Sequence, residues 1–290
     1  MAEDRKQDGR KEFGGYGAGD VDTVISVDDV AREARRLAES GPSLERIAEL
    51  ARNAPLVSIE NLLAGYGKME ILHGVSLQVA RGQSLCLIGP NGAGKSTVLH
   101  SIYGFTNITG GRISVGDVDV TRLNPNQKLR AGVAYILQDN SVFPDMTVEE
   151  NLWMGGYLMA RPEESKTAAE RVFDKYPRLA ARRRQRAGVL SGGERRLLEI
   201  SRALIMEPEV LLVDEPSIGL EPRFIDMVFE ILDDLQHGEG KTIIMVEQNA
   251  KKGLEFADIG YVLVDGCVAM AGPGDQLLDD PEVGRLFLGG

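Results

Sequence analysis

Residues 85–97 read Leu85-Cys86-Leu87-Ile88-Gly89-Pro90-Asn91-Gly92-Ala93-Gly94-Lys95-Ser96-Thr97: an apolar run, a glycine-rich turn, then the opening of a helical pattern, KSTVLHSIYG. Gly89, Gly94, Lys95 and Ser96 fit the spacing G-x-x-x-x-G-K-[ST]. Glycines let the backbone wrap closely around a polyphosphate. The unpaired N–H groups at a helix start, aided by the helix dipole, hold the anion. Lys95 is then placed to reach the β- and γ-phosphates and Ser96 to ligate Mg2+. Gly89, Asn91, Gly92, Gly94, Lys95, Ser96 and Thr97 are therefore the candidate nucleotide-binding residues. A glycine-rich turn can arise by chance, but chance supplies no buried strand before it and no helix after it.

Working outward, strand patterns recur at LVSIENL, SLQVA, GRISVGD, GVAYIL, VLLVDE, TIIMVE, YVLVDG and CVAMAG. Helical patterns lie between them at VEENLWMGGYLM, PEESKTAAERVFDKY, GGERRLLEISRALIM, PRFIDMVFEILDDLQ and NAKKGLEFA. This alternation predicts an α/β fold with a mostly parallel sheet. In such a sheet ligands bind beyond the carboxyl ends of the strands. The apolar run VLLV delivers Asp214 and Glu215 to such an end. Asp214 is the candidate for the Mg2+ hydration shell. Glu215 is the candidate for orienting the attacking water, because phosphoryl transfer rests on positioning and charge stabilisation. By itself an acidic strand-to-loop turn says little; downstream of a phosphate loop it says much more.

Bulk properties narrow the class. A formal net charge of -11 argues against a protein that coats phosphate backbones, so no nucleic-acid partner is expected. Hydrophobic residues make up 43% of the 290, enough for a sizeable core. Cys86 and Cys267 sit in separate apolar runs and read as small buried hydrophobes of a reducing compartment. No apolar stretch approaches the roughly 18–20 residues that span a bilayer. The N-terminus lacks a signal-peptide pattern. The chain is expected to be cytoplasmic and to meet a membrane through partners. Residues 1–22 are charged and glycine-rich and read as disordered. SVDDVAREARRLAESG and LERIAELARN follow as two short helices, so residues 1–54 form an N-terminal extension and 55–290 the main domain.

A third motif decides the family. Leu190-Ser191-Gly192-Gly193-Glu194 opens the helical stretch RRLLEISRALIM. Phosphate loop, then LSGG, then an apolar strand ending in Asp-Glu: in this order the chain resembles the ATP-binding cassette (ABC) family of P-loop NTPases over residues 56–290. The resemblance implies a mostly parallel core sheet, an antiparallel β subdomain and an α-helical signature subdomain. It implies ATP and Mg2+ as cofactors. It implies that Tyr66 stacks on adenine, that Gln138 senses Mg2+ and the membrane partner, and that residues 217–221 form the family's D-loop. It also implies that Ser191, Gly192 and Gly193 grip the γ-phosphate bound by a second subunit.

The family usually carries histidine after the last core strand, whereas this chain has Val246-Glu247-Gln248-Asn249. A glutamine amide donates a hydrogen bond but carries no charge near neutral pH. Gln248 is thus the candidate γ-phosphate contact, alongside Glu215 as catalytic. Glu194 replaces the commoner glutamine of the signature, and Glu221 replaces an aspartate. VEQNA, PRLAARRRQRAGVLSGGE, DEPSIGLEP and the terminal FLGG resemble the LivF-type ATPases of branched-chain amino acid uptake and their urea and amide relatives. That resemblance implies a second ATPase subunit (a heterodimer, or else a homodimer), two transmembrane permeases, a periplasmic binding protein and a place on the inner face of the cell membrane. The rivals are a soluble ABC ATPase of translation or repair, which commonly carries two cassettes or a coiled coil, and a small-molecule kinase, which has no use for LSGGE. The arginines at 178, 182, 183, 184 and 186 read as a solvated helix end. The apolar stretch from Leu152 to Met159 reads as part core and part partner surface.

Overall fold

The computed structural model describes residues 41–138 and 141–287. The tail at 1–22, the helix read at 26–41 (all but Gly41) and the last three residues of the chain lie outside the described residues.

Two sheets share one core. Strand β1 (Pro55–Tyr66) turns at Gly67 and Lys68 into β2 (Met69–Ala80), and the two pair antiparallel. After β3 (Ser84–Ile88), strand β4 (Asn107–Val115) pairs with the other edge of β1 and carries the short β5 (Val118–Asp119), giving a four-stranded antiparallel sheet ordered β2-β1-β4-β5. The second sheet adds β6 (Val133–Ile136), β7 (Val210–Asp214), β8 (Thr242–Val246), β9 (Ile259–Val264) and β10 (Cys267–Pro273), in the order β10-β9-β3-β8-β7-β6. Its central strands are parallel and only β10 runs antiparallel.

The near-continuous apolar runs of β3, β7 and β8 are those of strands covered on both faces. Alternate residues sort into two clusters. Leu85, Leu87, Leu212, Ile244 and Val246 face the antiparallel sheet and the helix Lys95–Tyr103. Cys86, Ile88, Leu211, Val213, Ile243 and Met245 face the helices Pro222–Asp233 and Ala250–Phe256. A third cluster, built on Val148, Leu152, Phe173 and Leu198, belongs to the helices Val148–Gly155, Pro162–Lys175 and Gly192–Leu204. This is the expected division into core sheet, antiparallel sheet and helical subdomain. No described helix is long and apolar enough to cross a membrane.

Among the local refinements are two helix ends and one helix that the sequence pattern did not show. The helix read over LERIAELARN ends at Leu50, because Arg52 and Asn53 adopt positive φ. Ser43 caps its start, Ile47 and Leu50 are buried in the core shared by the two sheets, and Ala51 at its end is buried as well. PRFIDMVFEILDDLQ leaves regular α-geometry after Asp233 and closes with a wider π-helical turn over Asp234–Gly238. The helix Pro125–Arg130, started by an Asn124–Gln127 capping box, had no apolar period to reveal it.

Candidate nucleotide site

The phosphate loop follows β3 directly. Gly89 lies at φ 140°, where a Cβ would strike Leu263 O at 2.1 Å, and Gly94 at φ 98° is the cap of the helix it opens. No side chain caps that helix, so its first N–H groups face the loop's hollow. The Lys95 ammonium folds back on the loop, donating to Gly89 O at 2.8 Å and Pro90 O at 3.0 Å. Burial pushes Lys95 below the ordinary lysine range, while Glu215 and Asp214 oppose that shift.

The carboxylates arrive from the adjoining strand ends. Ser96 Oγ donates to Asp214 Oδ1 at 3.2 Å, and Tyr135 Oη donates to Asp214 Oδ2 at 2.7 Å. Two hard oxygens side by side, with no cluster of three or more acidic, His or Cys ligands among the described residues, suit a small cation that takes one or two protein oxygens and fills its shell with phosphates and water. Glu215 has φ 43° and donates its N–H to Val246 O at 2.9 Å, which turns its side chain off the strand line. Gln138 Nε2 donates to Glu215 Oε2 at 3.0 Å.

Tyr66 ends β1, exposed, beside the loop's helix. Its hydroxyl pairs with His100 Nδ1, and its ring meets the His100 ring edge-on at 6.0 Å. Burial, ahead of Asp214, raises the Tyr66 hydroxyl, and a Thr97 hydrogen bond opposes it. Gln248 is exposed just past β8. Before it, the buried Glu247 accepts from Ser217 Oγ at 2.7 Å and Asn249 N at 3.0 Å, binding the 217–221 loop to the end of β8.

Ser191 stands at the start of the helix Gly192–Leu204 in the helical subdomain, and Gly192 next to it borders the same cavity as Gln138. It forms a capping box with Glu194, donating N–H at 3.0 Å and Oγ–H at 2.9 Å to Glu194 Oε2. Gly193 lies against the Phe224 ring, where a Cβ would come within 2.2 Å. Of the arginine cluster, Arg178, Arg184 and Arg186 are exposed, Arg182 reaches Glu194 and Arg183 joins Glu149 and Glu170. Leu152 is buried, while Met154 and Tyr157 are exposed.

The structure thus brings Lys95, Ser96, Asp214, Glu215 and Gln138 together, sets Tyr66 beside them, and places Ser191 outside that cluster, at the start of the helix Gly192–Leu204. Sequence reasoning passed over Tyr135, His100 and Glu247. The alternation of GVAYIL marks Tyr135 as sheet-facing, but nothing local tells that it reaches Asp214.

A glycine loop at a helix start, facing two carboxylates at the carboxyl edge of a parallel sheet, defines a P-loop nucleotide-binding protein. The family model described as ABC transporter matches residues 72–218. A branched-chain amino acid transport ATP-binding protein, BraG of Pseudomonas aeruginosa, is 40% identical over 81% of this chain and 100% of its own length. A probable counterpart, LivF of Archaeoglobus fulgidus, is 37% identical over 79% of this chain and 96% of its own. The ADP conformation of an ATP-binding cassette of an ABC transporter superposes with a TM-score of 0.71 at 29% identity, over 80% of this chain and 98% of that one. The chain belongs to the ABC transporter ATP-binding family, and it binds and hydrolyses ATP.

Proposed function

We propose that this chain is the ATPase subunit of an importer for branched-chain amino acids, on the cytoplasmic face of the membrane. The observation that carries the ATPase part of this reading is the meeting of Lys95, the Ser96–Asp214 pair and the Gln138–Glu215 pair at one sheet edge. Residues 55–290 act as the ATPase domain, with residues 1–54 as an extension of it.

The loop from Gly89 to Thr97, including Asn91 and Gly92, cradles the phosphates with its backbone N–H groups. Lys95 exchanges the carbonyls of Gly89 and Pro90 for phosphate oxygens. Ser96 and Asp214 would hold Mg2+, with the free amide oxygen of Gln138 as a further ligand; when bound, the ion offsets phosphate charge. Tyr66 stacks on adenine. Glu215 orients the water, and Gln248 donates to the γ-phosphate. Ser191, Gly192 and Gly193 serve the nucleotide held by a second ATPase subunit, so ATP draws two subunits together and hydrolysis parts them. The exposed Met154 and Tyr157 meet the permease. The 40% identity to an amino acid transport subunit supports the substrate class.

The test is transport. The chain is co-expressed with its neighbouring permeases, its binding protein and its second ATPase, and reconstituted in vesicles. ATP-driven uptake of labelled leucine, lost in Lys95→Ala, is expected. Uptake of urea but not leucine would overturn the substrate class. Co-purification with ribosomes or DNA in place of membrane proteins would overturn the transport role.

A further inference from the structure

Arg196 lies in the second turn of the helix that Ser191 caps, and only 4% of it is exposed. Its Nη1 donates to Leu137 O at 2.7 Å and to Glu199 Oε2 at 2.9 Å; Nη2 makes a longer contact to Asp214 O at 3.4 Å. Leu137 and Asp214 are the residues immediately before Gln138 and Glu215. One guanidinium therefore holds the backbone just ahead of both members of the hydrogen-bonded Gln138–Glu215 pair, from the helix that begins at Ser191.

This arrangement is not explained by stability. A buried ion pair roughly breaks even against well-packed apolar residues, and Glu199, one helical turn away, would balance the charge without help from another element. Arg196 Nε has no hydrogen-bond partner, so the group is not placed to satisfy its own donors best. Its donors reach instead to the ends of β6 and β7, neighbouring parallel strands that the fold already holds side by side. The rigid, forked guanidinium suits such a bridge; a lysine ammonium offers a point charge without the fork.

We infer that Arg196 is a positioning residue for hydrolysis: it sets the Gln138–Glu215 geometry and ties it to the signature helix. Displacement of the helix by a partner's nucleotide at Ser191 then reaches the water-orienting carboxylate of the same subunit through one side chain. Loss of Arg196 impairs turnover while ATP capture by the phosphate loop persists. This rests on the reading of Glu215 as the water-orienting group.

The experiment measures ATPase kinetics and melting temperature in the assembled transporter. Arg196→Met alone would strand Glu199 as an uncompensated buried charge, so the informative variant is Arg196→Met with Glu199→Met. Expected is a melting temperature near that of the parent, a kcat lower by about tenfold or more and an ATP KM within about twofold. Parental kcat in that double variant would overturn the inference. Should it melt early, Arg196→Lys decides, since it keeps a cation beside Glu199: reduced kcat at parental KM upholds the inference, and unchanged kcat overturns it. Glu215→Gln is run in parallel. Full activity there would remove the underlying reading as well; an inactive Glu215→Gln beside a fully active double variant would remove the Arg196 inference alone.

Discussion

Gln138 Nε2 and Glu215 Oε2 lie 3.0 Å apart, joining the second residue past β6 to the residue directly after β7. Glu215 holds a backbone conformation with φ 43°, a region that costs a non-glycine residue about 1–3 kcal/mol and persists where its surroundings enforce it. The Val246 carbonyl fixes its N–H and the Gln138 amide fixes its side chain. Replacing Gln138 with alanine releases the carboxylate from one of these constraints without touching the phosphate loop. The expected result is a kcat lower by about 10- to 100-fold with affinity for Mg2+-free nucleotide little changed, read from steady-state ATPase assays beside equilibrium binding of a fluorescent ATP analogue in the absence of Mg2+. A proportional loss of affinity would place Gln138 in ground-state nucleotide binding instead.

Glu194, where the family more often has glutamine, closes a capping box with Ser191. Hydrogen bonds from the Ser191 backbone, helped by its hydroxyl, hold the Glu194 carboxyl below the usual glutamate range. Because the folded-state value is depressed, this stabilisation is complete above the unfolded value and fades as pH falls through the folded one. Glu194→Ala should cost about 1 kcal/mol at pH 7. Glu194→Gln should be nearly neutral there, since an amide oxygen accepts the same bonds, and should overtake the parent under acid conditions. Urea unfolding at neutral and acid pH checks both, and equal acid sensitivity of parent and Glu194→Gln would refute the role.

How much of this was legible follows from how local each feature is. The phosphate loop, the Asp214–Glu215 pair and the signature were readable because their chemistry requires neighbouring residues in fixed order. The parallel sheet followed from apolar runs spaced by helical patterns. Contacts between distant segments were not readable: Tyr135 on Asp214, His100 on Tyr66 and Arg196 on Leu137 arise from packing that no spacing records. The π-helical turn at Asp234–Gly238 escaped because the apolar period continues through it. Strand β2 was found only in its second half, since Met69 to Gly74 alternates too weakly to stand out.

The helix Leu44–Leu50 is a matter of energetics as well as sequence. Periodicity gave its existence, but not its docking, in which Ile47 and Leu50 enter the core and Gln83 Nε2 donates to Leu50 O at 3.2 Å. Ile47→Ala should destabilise the protein by about 2–4 kcal/mol, as large-to-small changes at buried sites do. Leu44, largely exposed in the same helix, should tolerate alanine within about 0.5 kcal/mol. Denaturant unfolding separates the two. Equal, negligible effects would mean that the helix contributes nothing to the fold.

Lys128 gives a prediction at alkaline pH. It is fully buried, with its ammonium donating to Ser101 O at 3.0 Å near the end of the phosphate-loop helix. Burial lowers its pKa from 10.5 to about 8. A lysine depressed in the folded state binds fewer protons there than in the unfolded chain between these values, so stability rises as pH climbs from about 8 to about 10.5. The increment is on the order of 3 kcal/mol, at about 1.4 kcal/mol for each unit. Lys128→Met removes the titrating group and with it this increment, though it also forfeits the Ser101 bond. The difference between parent and variant should therefore shift in favour of the parent across that window. Unfolding free energies from denaturant titrations at pH 7, 8, 9 and 10 trace the difference directly. Parallel pH profiles for the two proteins would show that Lys128 keeps its ordinary titration despite its burial.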